Sequence, residues 1–176
     1  VGKFDFRKQL GMALQSVARI KHLENLHFHI VGSGVDKEVE YYKKMAIQLG
    51  IHDICEWHGL IPNSEVQKMM QKYDLLFFTS IMEGTPHVVL EAIGNHLPIL
   101  CLDSCGQSAS VNEEVGVKIP VTTISQSIID FSKMIIYLYE NRNLVAAMSK
   151  GCIKRQKELS WDNKAQQMIE IYNKIV

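Results

Sequence analysis

The chain holds little cysteine and little proline, and neither charge is in excess. Its 176 residues contain four cysteines, four prolines, and 19 basic side chains against 19 acidic ones. A formal charge of zero offers no broad electrostatic attraction to nucleic acid or to an anionic lipid surface. Cys55, Cys101, Cys105 and Cys152 are scattered. Cys101 and Cys105 lie close together, but no second pair stands nearby to complete a zinc site, and there is no Cys-x-x-Cys redox motif. Cys55 and Cys101 fall in apolar runs, so reduced, buried thiols are expected, and with them a cytoplasmic protein. No apolar run is long enough to span a bilayer, and no signal peptide opens the chain. The chain starts with Val1-Gly2-Lys3-Phe4 rather than an initiator Met, and so reads as a fragment. Internal repeats, low-complexity stretches and interdomain linkers are also missing.

What is present is an ordinary globular composition, 47% hydrophobic and 22% charged. That is enough for a single domain over residues 1–176 with a substantial core. Apolar runs and helical periods alternate along it. Residues 8–22 carry Leu10, Met12, Ala13, Val17, Ala18 and Ile20 at helical spacing. A strand over 26–31 follows, closed by Gly32-Ser33-Gly34, and then a helix over 36–49 that stops at Gly50. A short strand over 54–57 ends at Gly59, and Asn63 or Ser64 is placed to cap a helix running through Tyr73. Strands over 74–79, 98–102 and 115–119 alternate with a helix over 86–95 and a small element near 107–113. Helices over 124–140, 143–158 and 161–175 complete the pattern. The central strands are nearly continuous apolar runs. This predicts an α/β, three-layer, Rossmann-like domain with a mainly parallel sheet and helices on both faces. Ligands of such sheets bind beyond the carboxyl ends of the strands, and three features fall there: Gly32–Gly34, His58–Gly59 and Ser80–Val88.

The most informative stretch is Met82-Glu83-Gly84-Thr85-Pro86-His87-Val88-Val89-Leu90-Glu91-Ala92, in which seven residues separate two carboxylates. Thr85 suits an N-cap, and Pro86 suits the first helical position, where no N–H is needed. The N–H groups of His87 and Val88 would then point outward at the positive end of the helix dipole, a seat for a phosphate or diphosphate. Glu83 lies in the loop and Glu91 more than a turn inside the helix. The two acids can therefore reach hydroxyls on opposite sides of a diphosphate, which is the layout of a nucleotide sugar.

Glu83 and Glu91, with Gly84, Pro86, Leu90 and Ala92, resemble the paired-glutamate signature of retaining glycosyltransferases of family 4, which have the GT-B fold. The setting resembles the family too. An Asp-led strand, Asp74 to Ser80, comes before the pair, and Asn95-His96-Leu97-Pro98 turns into a strand after it. The likeness runs from Gly2 to Trp161. It implies the C-terminal, nucleotide-sugar-binding half of a GT-B enzyme, with the N-terminal acceptor domain absent from this chain. It also implies roles. Lys3 and Lys8 would offset charge on the departing diphosphate, with Arg7 competing for the second role. Glu83 would hold donor-sugar hydroxyls or stabilise positive character at the anomeric carbon, and Glu91 would bind the ribose. The helix start, Gly84, Thr85, Pro86, His87 and Val88, would hold the diphosphate, with the backbone of His87 mattering more than its ring. His58, Gly59 and Leu60 would hold the nucleobase largely through the backbone, Trp57 being a core aromatic.

Gly32 and Gly34 are half of a dinucleotide fingerprint, with Lys37 where a third glycine would stand; they fit either close approach to the donor or a plain tight turn. Near the C-terminus, Ser160 is placed to cap the last helix and Trp161 to pack, and that helix would brace a neighbouring domain. The implied reaction moves a glycosyl group from a nucleoside diphosphate sugar to a glycan or lipid-linked acceptor, in surface polysaccharide or glycan synthesis. It needs no metal and no cofactor beyond the donor substrate. The resemblance places the enzyme in the cytoplasm and leaves open peripheral association of the full-length protein with the inner face of the membrane. The rival readings are a GT-B nucleotide-sugar epimerase or hydrolase and a non-catalytic nucleotide-binding module.

Overall fold

The computed structural model describes residues 1–175. Five strands, β1 (Phe28–Val31), β2 (Cys55–Gly59), β3 (Leu76–Phe78), β4 (Ile99–Leu102) and β5 (Gly116–Ile119), alternate with helices as the sequence predicts. The helices are α1 (Leu10–Ala18), α2 (Asp36–Gln48), α3 (Asn63–Met70), α4 (His87–Gly94), α5 (Cys105–Ser110), α6 (Ile124–Glu140), α7 (Arg142–Glu158) and α8 (Trp161–Ile175). Two short 3-10 turns, Phe6–Lys8 and His52–Ile54, carry no periodicity that could have announced them. Every strand pair is parallel. Strand alternation divides the core between two faces. Ile99 and Cys101 pack with Val89, Ala92 and Ile93 of α4, whereas Leu100 and Leu102 face Phe131 of α6. Ile30 packs with Leu14 and Val17 of α1 and Ala46 of α2. All four residues of β4 are buried, which explains its unbroken apolar run.

The strands do not form one continuous sheet. β1 pairs with β2, and β3 with β4 and β5, but the facing edges of β1 and β3 share no backbone hydrogen bond among the described residues. Between them lies a cavity of about 550 Å³ walled by Phe28–Val31, Leu76–Phe78, Val17, Val66 and Met70. Val1 and Gly2 also line it. Gly2 N–H donates to the Val31 carbonyl and Phe4 N–H to that of Ser33, at 2.9 and 2.8 Å. Two donors two residues apart meeting two acceptors two residues apart is the spacing of a parallel ladder. Traced backward from Gly2, that ladder leads into the gap. This cavity is therefore a strand-wide break in a hydrophobic core, with walls that are mostly apolar between the two strands.

The C-terminal region departs from expectation in one respect. Ser160 does cap α8, its hydroxyl accepting from Asn163 N–H at 3.2 Å. Trp161 does not pack: it is 90% exposed, and α8 buries none of its described residues. The indole sits on the first turn of α8, and Met168, Ile169 and Tyr172 are exposed along the same helix. All four cysteines are free thiols, and only Cys105 is exposed. Burial pushes the Cys101 thiol up to about 12, and Cys55 and Cys152 to about 11, so these three are packing groups rather than nucleophiles.

The ladder geometry makes a prediction. A Val- and Ile-rich segment of roughly five residues fused ahead of Val1 should enter the gap and raise Tm by about 5 °C or more. A thermal melt identical to that of the 176-residue chain would show the gap closed to a strand.

Candidate functional site

Four loops meet beyond the carboxyl ends of the strands. The segment 1–9 bonds to the end of β1 through Gly2 and to the end of β3 through the Ile81 N–H, which donates to the Arg7 carbonyl at 2.9 Å. Gly32 N–H donates to the Gly59 carbonyl at 2.8 Å, joining the two turns that follow β1 and β2. Gly32 has φ +126°, and a Cβ there would overlap the Gly2 carbonyl, so glycine is required for segment 1–9 to cross at this point. The missing Cβ of Gly34 leaves room for Phe4 and Glu38. Both glycines thus serve close approach of the chain to itself. Gly59 and Gly84 differ: a Cβ on either meets nothing within 4 Å, so both border open space.

At the end of β3, Thr79 donates its hydroxyl hydrogen to the Lys8 carbonyl at 2.8 Å. The Ser80 hydroxyl lies 2.6 Å from Glu83 Oε1 and 3.1 Å from the Arg7 carbonyl. Its one hydrogen is best spent on Glu83, because the Arg7 carbonyl already accepts from Ile81. The Lys8 ammonium ion-pairs with the same Glu83 oxygen, and the two side chains are only 25% and 16% exposed. Burial alone would push the Glu83 carboxyl up. Hydrogen bonds from Lys8 and Ser80, with the positive charges of Lys8 and Arg7, outweigh it and hold the carboxyl below its ordinary 4.5. Arg7 turns the other way, onto Asp5 at 2.7 Å, so of the two competing cations Lys8 is the one beside Glu83. Lys3 is exposed on the same segment.

α4 begins one residue later than expected. Pro86, with ψ 88°, is the N-cap, and its carbonyl accepts from Val89 and Leu90 N–H; Thr85 makes no capping bond and is exposed. The loop is held in this position by Gly106. Its N–H donates to the Glu83 carbonyl at 3.1 Å, and a Cβ on it would overlap Gly84 and Pro86. The two amides that the expected cap would leave open are open here too. Among the described residues, nothing accepts from the N–H of His87 or Val88, and both point out of the helix start.

Glu91 lies deeper in α4 and accepts from Asn63 Nδ2 at 2.9 Å, which ties it to the start of α3 just after the His58–Leu60 turn. Asn63 is therefore a partner of Glu91 rather than a cap; Pro62 holds the N-cap position of α3. Leu60 is 84% exposed, and Trp57 packs edge-on against Phe4 as a core aromatic. Sequence reasoning placed Ser80 at the ligand-binding edge but missed the contacts of Thr79 and Asn63. Ser80 had a signal, since it closes the Asp-led strand, whereas hydroxyl-to-carbonyl ties across 70 or more residues leave none. Gln107 is fully buried and braces the site by donating to the Ser80 carbonyl at 3.0 Å. Asp103 pairs with Lys118 at 3.3 Å.

Residues 1–155 match the sequence profile of "Glycosyl transferases group 1". A lipopolysaccharide 1,6-galactosyltransferase of Escherichia coli (strain K12) is 29% identical over 111 residues, covering 62% of this chain and 30% of that protein. The chain spans less than half the length of the curated relatives it matches. Among solved structures, the pneumococcal O-GlcNAc transferase GtfA in complex with UDP and GlcNAc superposes with TM-score 0.79 at 20% identity, covering 99% of this chain and 34% of its own. Anabaena Alr3699/HepE in complex with UDP-glucose superposes equally well, TM-score 0.79 at 17% identity, covering 98% of this chain and 48% of its own. These neighbours share the α/β GT-B architecture.

The Lys8–Glu83 pair has a pH signature. Because the folded-state pKa of Glu83 is depressed, its contribution to stability is complete above about pH 4.5 and is lost as pH falls through the lower folded value. Glu83→Gln should cost about 1–2 kcal/mol at pH 7, and the gap from wild type should narrow in denaturant melts below pH 4. A constant gap from pH 7 to pH 3 would contradict the ion pair.

Proposed function

The chain belongs to the glycosyl transferases group 1 family, and from that premise we propose that it is the nucleotide-sugar-binding domain of a retaining, family 4 transferase. The observation that carries this reading is the Lys8–Glu83 contact beside the two unpaired amides that open α4. An anion seated on the N–H groups of His87 and Val88 gains two hydrogen bonds and the helix dipole together. Lys8 then supplies a fixed cation from one side, and Lys3 a second from the same segment. As the bond from the anomeric carbon to the diphosphate oxygen breaks, negative charge builds on that oxygen, and these donors stabilise it without rearranging.

Glu83 sits between Lys8 and the open space beside Gly84, where it would meet donor-sugar hydroxyls or the positive charge developing on the sugar ring. Glu91, held by Asn63 near the His58–Leu60 turn, would bind the ribose hydroxyls, while that turn's backbone receives the base. Sugar, diphosphate, ribose and base would thus lie in order from Glu83 across α4 to β2. The acceptor belongs to a second domain of the whole enzyme, and the exposed apolar side chains of α8 offer that domain a surface to rest on. Homologues in lipopolysaccharide synthesis favour a surface glycan as the acceptor class.

A thermal-shift panel of uridine, guanosine, adenosine and cytidine diphosphates tests the site directly, since a ligand bound only by the folded state raises Tm. At least one should shift the wild-type chain, and Lys8→Ala should weaken that nucleotide about tenfold. The isolated chain should transfer nothing. In the whole enzyme, Glu83→Gln should lower transfer on the order of a hundredfold or more; unchanged transfer would remove its catalytic role. Free sugar in place of transferred sugar would mark a hydrolase.

A further inference from the structure

We propose that His29, Glu56 and His58 form a binding site for one zinc ion, separate from the diphosphate site, where none is expected. His29 and Glu56 are register partners on the paired parallel strands β1 and β2, and His58 stands two residues beyond Glu56, on the same face. Their donor atoms all lie within 4.8 Å of one another. His29 Nδ1 is 3.0 Å from His58 Nε2 and 3.4 Å from Glu56 Oε2. With bonds of about 2.0–2.1 Å, a tetrahedral zinc sets its ligand atoms about 3.3 Å apart, so two of these edges already have the length required.

The contacts at His29 Nδ1 also outnumber the bonds that this nitrogen can make. His58 Nε2, Glu56 Oε2 and the Tyr73 hydroxyl, at 3.2 Å, all crowd His29 Nδ1. One ring nitrogen makes one such bond, so not all of these contacts can be satisfied by hydrogens, and a cation held between the two imidazoles and the carboxylate would satisfy them together. Tyr73 stacks on His29 with centroids 4.1 Å apart and holds the ring in this orientation. Two imidazoles and one carboxylate make the borderline ligand set of zinc, with the fourth position left to water. His27 Nδ1, 3.6 Å from the other carboxylate oxygen, stands outside the ligand set as a partner that orients Glu56. Bound there, zinc would clip β1 to β2 through their side chains. The reading of the donor site uses the backbone at His58, so the two assignments stand or fall separately.

The test is calorimetric titration of the whole chain with Zn²⁺, repeated with Co²⁺ to read coordination from its visible spectrum. One Zn²⁺ per chain is expected, with an intense four-coordinate cobalt spectrum. His29→Asn and Glu56→Gln should each weaken binding at least about tenfold, while His22→Asn, at an exposed histidine elsewhere, should not. Glu56 is half-exposed, so Glu56→Gln leaves the core untouched and gives a folded variant even where His29→Asn does not. No saturable uptake, a weak six-coordinate cobalt spectrum, or wild-type affinity in Glu56→Gln would overturn the proposal and leave a hydrogen-bonded packing cluster.

Discussion

The junction of Lys8, Glu83 and Ser80 is the contact on which the geometry of this domain's working edge depends. Segment 1–9 has little regular structure of its own, a single 3-10 turn, so its path must be imposed by partners. The end of β3 supplies them: Thr79 and Ile81 hold the backbone of Arg7 and Lys8, and Ser80 holds the carboxylate that receives the Lys8 ammonium. Neither charge is freely solvated, so the pair is worth more than an exposed surface ion pair, and losing one partner leaves the other costly to bury.

Around this junction the fold keeps backbone groups free where an anion would need them. Pro86 has no N–H to leave over, and among the described residues no acceptor reaches the next two amides. That openness is maintained by close packing beneath it. Gly106 lies against the loop from below, Gln107 braces Ser80 from inside the core, and Gly32 lets segment 1–9 pass close over β1. The glycines at these places do different work. Gly32 and Gly106 permit contact, whereas Gly59 and Gly84 border empty space.

Element order and type were legible in the sequence because strands buried on both faces read as apolar runs and amphipathic helices carry a 3.6-residue period. The Glu83–Glu91 spacing was legible for the same local reason, since one loop and one helix set it. Thr85 was misread because a good capping residue was weighed without the packing of Gly106, which turns the loop so that Pro86 takes the cap. Trp161 was misread because a large aromatic was assumed to find a core, and α8 has none beside it. The break between β1 and β3 could not be read at all. Strand pairing is a relation between segments distant in sequence, and no residue pattern records an edge left unpaired.

The sequence by itself determined what lies within one turn or one strand of each residue: the alternation of elements, the acid-flanked helix start and the thiols hidden in apolar runs. Tertiary structure alone decided that Lys8 rather than Arg7 meets Glu83, that Asn63 holds Glu91, and that His29, Glu56 and His58 converge across two strands. The physical reason is range. Backbone propensity acts over a few residues, whereas a salt bridge joining positions 75 residues apart depends on how the whole sheet brings two loops to the same edge.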